Sequence, residues 1–283
     1  MKLWNKPFEL LEFFLLVVIE IGGNFNDHYR ETAAKEGDLL FEVLTRLHAR
    51  ACKTGSEVMV LMRSGFPDGA HARWRTLHEI AVVSIFIAKH GKAVAERYVD
   101  HDIIDSYKSA VQHQKYFEAM CLESIPDQEF EQIKTAYEDT VTRYGSAFKG
   151  DYGWAASVLG KERPLFTDIE ANVELERWRP YYKMASRSVH ANIKGITKSL
   201  GLPLGEEHIL LAGASDVGFA DPGHGTAISL LQITTTMLTS KSNIDAILYC
   251  AVLKKLEEEI GQEFLKTHNV CEQNYKSNKR PIR

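Results

Sequence analysis

Proline is scarce in this chain, eight in 283 residues, and most of the eight stand beside evident breaks, which leaves room for long helices. The cysteines Cys52, Cys121, Cys250 and Cys271 are few and far apart. That spacing excludes a zinc ribbon and a dense disulfide framework, and reduced thiols in a cytoplasmic protein are the expectation. No sign of charge dominates: 34 Lys and Arg stand against 38 Asp and Glu, a net −4, so no global basic field advertises nucleic acid. The apolar run in the first helix, Phe13 to Ile19, has seven residues, against the roughly 20 needed to span a bilayer. Glu9, Glu12 and Glu20 interrupt or flank it, so a core helix is expected there, with no membrane partner. Missing too are His-Glu-x-x-His, a Walker loop and a Gly-x-Gly-x-x-Gly turn, and neither a metal nor a cofactor is implied.

With 45% hydrophobic and 25% charged residues the chain falls among ordinary globular proteins. Helical periodicity runs almost throughout. A first helix ends at Gly22-Gly23-Asn24, a second covers about 27–53 and a short third 56–63. Ser64-Gly-Phe-Pro-Asp-Gly is a turn with a helix start, since Pro67 suits the first turn and Asp68 complements the dipole. The helix that follows, to about residue 89, is apolar nearly all round from Ile80, as a central helix would be. Further helices are expected over 92–121, 126–144, 167–178, 180–200, 225–239 and 244–266. Residues 145–161 form a structured loop, and 201–225 carry no clear periodicity. The reading is one all-α domain over residues 1–273 with nine or ten helices, and a frayed tail at 274–283.

Two polar clusters on these helices could carry chemistry. In His71-Ala-Arg73-Trp-Arg75-Thr-Leu-His78-Glu79, His71, Arg75 and Glu79 share a face and His78 lies one turn from Arg75. Arg before Glu at i, i+4 is the weaker order for a helix ion pair. The pair therefore either clamps a neighbouring element or forms a site. The second cluster is Tyr182, Ser186 and His190, spaced i, i+4, i+8, with Arg187 beside them. A phenol, a hydroxyl and an imidazole on one face could hold a proton-transfer site or a phosphate. An internal hydrogen bond and a satisfied histidine explain the same pattern. The Arg73-x4-His78 spacing matches that of metal-independent ribonucleases of the HEPN class, but chance supplies about one or two such pairs in a chain like this.

Together, Ala72, Arg75, Leu77, Glu79, Tyr182, Ser186 and His190 resemble the signature of an uncharacterised, mostly bacterial, all-helical family, over about 30–265. That family is distantly similar to HEPN-type helical proteins, several of which are ribonuclease toxins or phage-defence effectors. The resemblance implies a HEPN-like bundle and a metal-independent ribonuclease. Arg75, His78, Glu79 and His190 would then be catalytic, and Arg73, Tyr182, Ser186 and Arg187 would hold RNA. In the HEPN proteins Arg and His lie on one helix and meet across a dimer, whereas Arg75 and His190 are far apart in sequence. The other reading is a non-enzymatic interaction or ligand-binding module whose Arg/Glu/His cluster is structural. RNA, a second copy of the chain or another protein are the partners these readings admit.

Overall fold

In the computed structural model, which describes residues 1–190, 193–203, 205, 206, 208–241 and 243–278, the protein is all-α. It is 79% helical, with no strand among the described residues. Among the described residues eleven α-helices follow one another: α1 (Asn5–Glu36), α2 (Leu39–Arg63), α3 (Pro67–His90), α4 (Lys92–Tyr116), α5 (Asp127–Tyr144), α6 (Ala156–Leu159), α7 (Phe166–Asn172), α8 (Arg179–Arg187), α9 (Ile193–Thr197), α10 (Ala220–Thr239) and α11 (Ile244–Asn278). They fall into two compact units, Met1–Ala88 with Arg177–Arg283, and Lys89–Glu176.

In the larger unit the expected break at Gly22-Gly23-Asn24 does not occur; α1 runs straight through it. The glycine is there for packing: a Cβ on Gly22 would collide with the imidazole of His48 on α2. The turn comes instead at Gly37, whose left-handed φ of 59° closes α1. Asp38 then caps α2 by accepting the Phe41 N–H at 3.0 Å. The expected break near residue 54 is likewise absent. At Gly55 the helix packs against Leu15 and Leu230, and a Cβ would lie 3.2 Å from each. The core of this unit includes an aromatic cluster in which Trp4 and Phe8 meet Phe219 edge-on, at 5.3 and 5.4 Å between centroids.

The expected helix over 180–200 is also corrected. It is two short helices, α8 and α9, because the chain folds back after Arg187 and the Cα of Gly195 lies close to the carbonyl of Arg187, where no Cβ would fit. α10 starts at Ala220, five residues before the expected start, and α11 continues to Asn278, past the expected onset of the tail. Residues 279–283 of that tail lie outside the described residues.

The smaller unit pairs α4 with α5. Arg143 bridges Glu96 and Asp100 at 2.6 and 3.0 Å, and Tyr107 stacks on Tyr137. The loop expected over 145–161 contains short 3-10 turns and α6. No helix among the described residues is long and apolar enough to cross a membrane.

Candidate functional site

The sequence-selected residues do not converge on one open site. α3 does meet α8, through Tyr182 rather than Ser186 or His190. The Tyr182 hydroxyl donates to Oε1 of Glu79 at 2.5 Å, and Nε of Arg75 donates to the same oxygen at 3.1 Å. The guanidinium groups of Arg75 and Arg179 lie 4.6 and 4.9 Å from the centre of the Tyr182 ring, a cation–π arrangement. Tyr182 is buried. Burial first, then the neighbouring Glu79, raise its pKa far above that of a free phenol. It therefore stays protonated and acts as a donor to Glu79.

The other selected residues are placed as follows. Arg73 pairs with Glu57 on α2. His78 is 1% exposed and lies 5.7 Å from both the Trp74 and the Tyr182 ring. Ser186 returns its hydroxyl to the Tyr182 carbonyl at 2.7 Å, as serines in helices commonly do. His190 sits exposed in the turn beyond α8. Arg187 makes no ion pair among the described residues.

Arg187 belongs instead to a furrow that the sequence reading did not assemble. On α3, Asp68, His71 and Trp74 follow at i, i+3, i+6 and so share a face. Trp178 and Tyr181, at the start of α8, and Met184 and Arg187, further along it, follow at steps of three and so wind round the helix, the first two lining one cleft and the last two another. The two clefts have His71 as their common wall. The first, of about 510 Å³, is lined by His71, Trp74, Trp178, Tyr181, His224 and Asp221, among others. The second, of about 280 Å³, is lined by His71, Asp68, Met184, Arg187 and Lys198, among others. The first volume lies within the roughly 300–1,000 Å³ usual for small-molecule sites, and the second falls just short of it.

Tertiary packing sets the chemistry of the first cleft. His71 is 1% exposed and stacks on Trp74 at 5.2 Å and 16°. Burial lowers its pKa to about 4, only partly countered by Asp68, so it is a neutral imidazole at pH 7. No described residue hydrogen-bonds to that ring. On the opposite wall His224 lies 2.8 Å from Oε1 of Glu257, and Lys254 donates to Oε2 at 2.8 Å. Burial opposes ionisation of Glu257, but these two hydrogen bonds outweigh it and hold the carboxyl below its ordinary range. The ionised carboxylate accepts, so Nε2 of His224 carries the hydrogen of this bond. Asp221, in the first turn of α10, is driven the other way by burial, against the pull of His268 and His224.

Glycines make this arrangement fit. A Cβ on Gly225 would lie 2.7 Å from Nε1 of Trp74, and one on Gly261 would lie 2.5 Å from Nε2 of His224. The rim of the second cleft is tied down by Asp68, which accepts from Ser199 Oγ and, at 2.9 Å, from the Leu200 N–H. The local signal for His224 was its place in Asp-Pro-Gly-His-Gly, where two glycines flank a histidine at a helix start. Glu257 carried no local signal at all. Among the described residues no three His, Cys, Asp or Glu side chains converge so as to hold a metal ion.

A family described as being of unknown function, DUF5677, matches residues 41–208, more than half of the chain. The chain belongs to this family. The matched region contains α3 and α8, the two long walls of the furrow, while Asp221, His224 and Glu257 lie beyond it. No curated protein and no solved structure matches the chain.

Proposed function

We propose that the protein is a helical ligand-binding module whose working site is the aromatic cleft beside His71, and that the Arg75–Glu79–Tyr182 cluster is structural. The observation that carries this is the His71 imidazole. It is almost wholly buried, neutral and without a hydrogen-bond partner among the described residues, and it forms the wall of two clefts. A buried polar group is normally hydrogen-bonded, and an open one on a cleft wall suits a ligand. The rings of Trp178 and Tyr181, 5.7 Å apart, favour a flat ligand. Titration of tryptophan fluorescence with planar heteroaromatic compounds tests this. Saturable quenching that is lost in Trp178→Ala supports it, and the absence of saturable binding by any flat ring overturns it.

A second reading keeps the activity implied by the resemblance. Arg187, without an ion pair among the described residues, shares a furrow with the His71 imidazole, and a metal-independent ribonuclease needs a phosphate contact and a proton-transfer group near each other. In this reading the protein cleaves RNA in the cytoplasm as a toxin or phage-defence effector of the HEPN kind. Cleavage of an RNA oligonucleotide in the presence of a chelator, lost in Arg187→Ala with folding intact, would favour it. Stable RNA in that assay would leave binding as the function.

A further inference from the structure

The two clefts differ in charge along a single furrow, and that asymmetry says more about the ligand. At one end stand Trp178 and Tyr181, with the carboxyls of Asp221 and Glu257 on the facing wall. At the other end stand Arg187 and Lys198, neither of which makes an ion pair among the described residues. Asp68, a carboxylate that lines the same cleft, accepts from Ser199 and from the Leu200 and Gly201 N–H groups. His71 stands between the two ends.

We infer that the furrow takes a nucleoside phosphate, with the base against Trp178 and Tyr181, the phosphate against Arg187 and Lys198, and the sugar beside His71. Three matches support it, and the inference rests on the ring-binding reading above. A flat, weakly polar base stacks on aromatic faces whatever its sequence identity. The carboxyls at that end can accept from the exocyclic amino group and ring N–H that adenine, guanine and cytosine carry in various combinations. Two cations against one carboxylate at the far end, neither cation held in an ion pair among the described residues, suit a phosphate, which Arg binds with a pair of parallel hydrogen bonds and Lys as a point charge. A neutral imidazole offers one donor and one acceptor, which fits a sugar hydroxyl better than a charged group. A ligand that carried only the ring would leave the cations idle, and one that carried only the phosphate would leave the aromatic end idle.

Calorimetric titration of the full chain with adenosine, AMP, guanosine, GMP and ribose 5-phosphate tests the inference. Nucleotides are expected to bind at least about tenfold more tightly than their nucleosides, a ratio typical of charge-assisted phosphate contacts. The double variant Arg187→Ala, Lys198→Ala should remove that ratio and leave nucleoside affinity unchanged. Both side chains reach solvent and neither holds the fold through an ion pair, so the melting temperature should be preserved. Trp178→Ala should weaken both ligand types. Equal binding of nucleoside and nucleotide would overturn the phosphate assignment and leave the ring-binding reading standing. Ribose 5-phosphate binding as tightly as AMP would overturn the proposed placement of the base. Failure of every ring compound to bind would remove both the inference and the reading beneath it.

Discussion

The hydroxyl of Tyr182 donates to Glu79 at 2.5 Å while the guanidinium groups of Arg75 and Arg179 lie 4.6 and 4.9 Å from the centre of its ring. This joins α8 to α3 with partners that are only partly buried, since the Arg75 and Glu79 side chains are 26% and 34% exposed. Breaking a fully buried pair would cost about 3–5 kcal/mol. With water at hand the cost is smaller. Arg75→Ala should lose about 1 kcal/mol, and Tyr182→Phe a similar amount as one hydrogen bond goes. Both variants should stay folded, as thermal or urea unfolding can verify; a loss above about 3 kcal/mol in Arg75→Ala would mean that the pair is far drier than its exposure indicates.

Gly22 and Gly23 are neighbours in sequence with opposite surroundings, and their alanine variants should differ in sign. A Cβ on Gly22 meets the His48 ring, whereas one on Gly23 meets nothing within 4 Å. Gly22→Ala should destabilise by about 1–3 kcal/mol through overpacking. Gly23→Ala should stabilise by about 0.5–1 kcal/mol, because alanine is the better helix former. Denaturant midpoints of the two variants give the answer directly, and a stabilised Gly22→Ala would refute the tight approach of α1 to α2.

Acid should weaken the fold well above the range in which ordinary carboxylates titrate. Burial lowers the pKa of His48 to about 4, as it does that of His71, against about 6.5 in an unfolded chain. As the pH falls through about 6.5 the unfolded state takes up protons that the folded state refuses, so stability falls, by up to about 3 kcal/mol per histidine at pH 4. Glu257, held below its ordinary range, acts in the same direction at lower pH, while Asp221, raised by burial, acts against it. Melting temperatures between pH 7 and 4.5 should decline, and His48→Gln and His71→Gln should each flatten the slope. A pH-independent melt over that window would contradict the burial of both rings.

His48 permits a sharper expectation. Thr234 gives its hydroxyl hydrogen to the Leu230 carbonyl at 2.7 Å, so its oxygen is left to accept from Nε2 of His48, 3.2 Å away. The ring should thus be the neutral Nε2–H tautomer, which nitrogen chemical shifts in a histidine-labelled sample report. Thr234→Val should strand that donor in the core and cost about 1–3 kcal/mol; an unchanged melt would rule the bond out as a stabilising contact.

The all-helical class was legible because apolar spacing of three and four residues repeats along most of the chain, and that periodicity acts through local geometry alone. The start of α3 was legible for the same kind of reason, since Pro67 and Asp68 are local signals. The breaks were read less well. Gly22 and Gly55 looked like interruptions, yet they are points of close approach, a distinction that depends on what stands opposite. Gly195, inside what looked like one helix, marked the fold-back that separates α8 from α9.

The candidate site divides along the same line. Arg75, Glu79 and Tyr182 were singled out from spacing on two helices, and they do meet. By itself the sequence determined which faces were polar and hence which helices would need partners. Only the tertiary structure decided that Tyr182 joins Arg75 and Glu79 in one cluster while His71 is left open. Likewise, it took the tertiary structure to bring Glu257 on α11 to His224 on α10, and Lys198 into a furrow with Arg187. The physical reason is that burial, and with it the protonation state and the need for a partner, is a property of what packs against a side chain. Residues more than a hundred positions away supply much of that packing here, and periodicity within one helix carries no record of them.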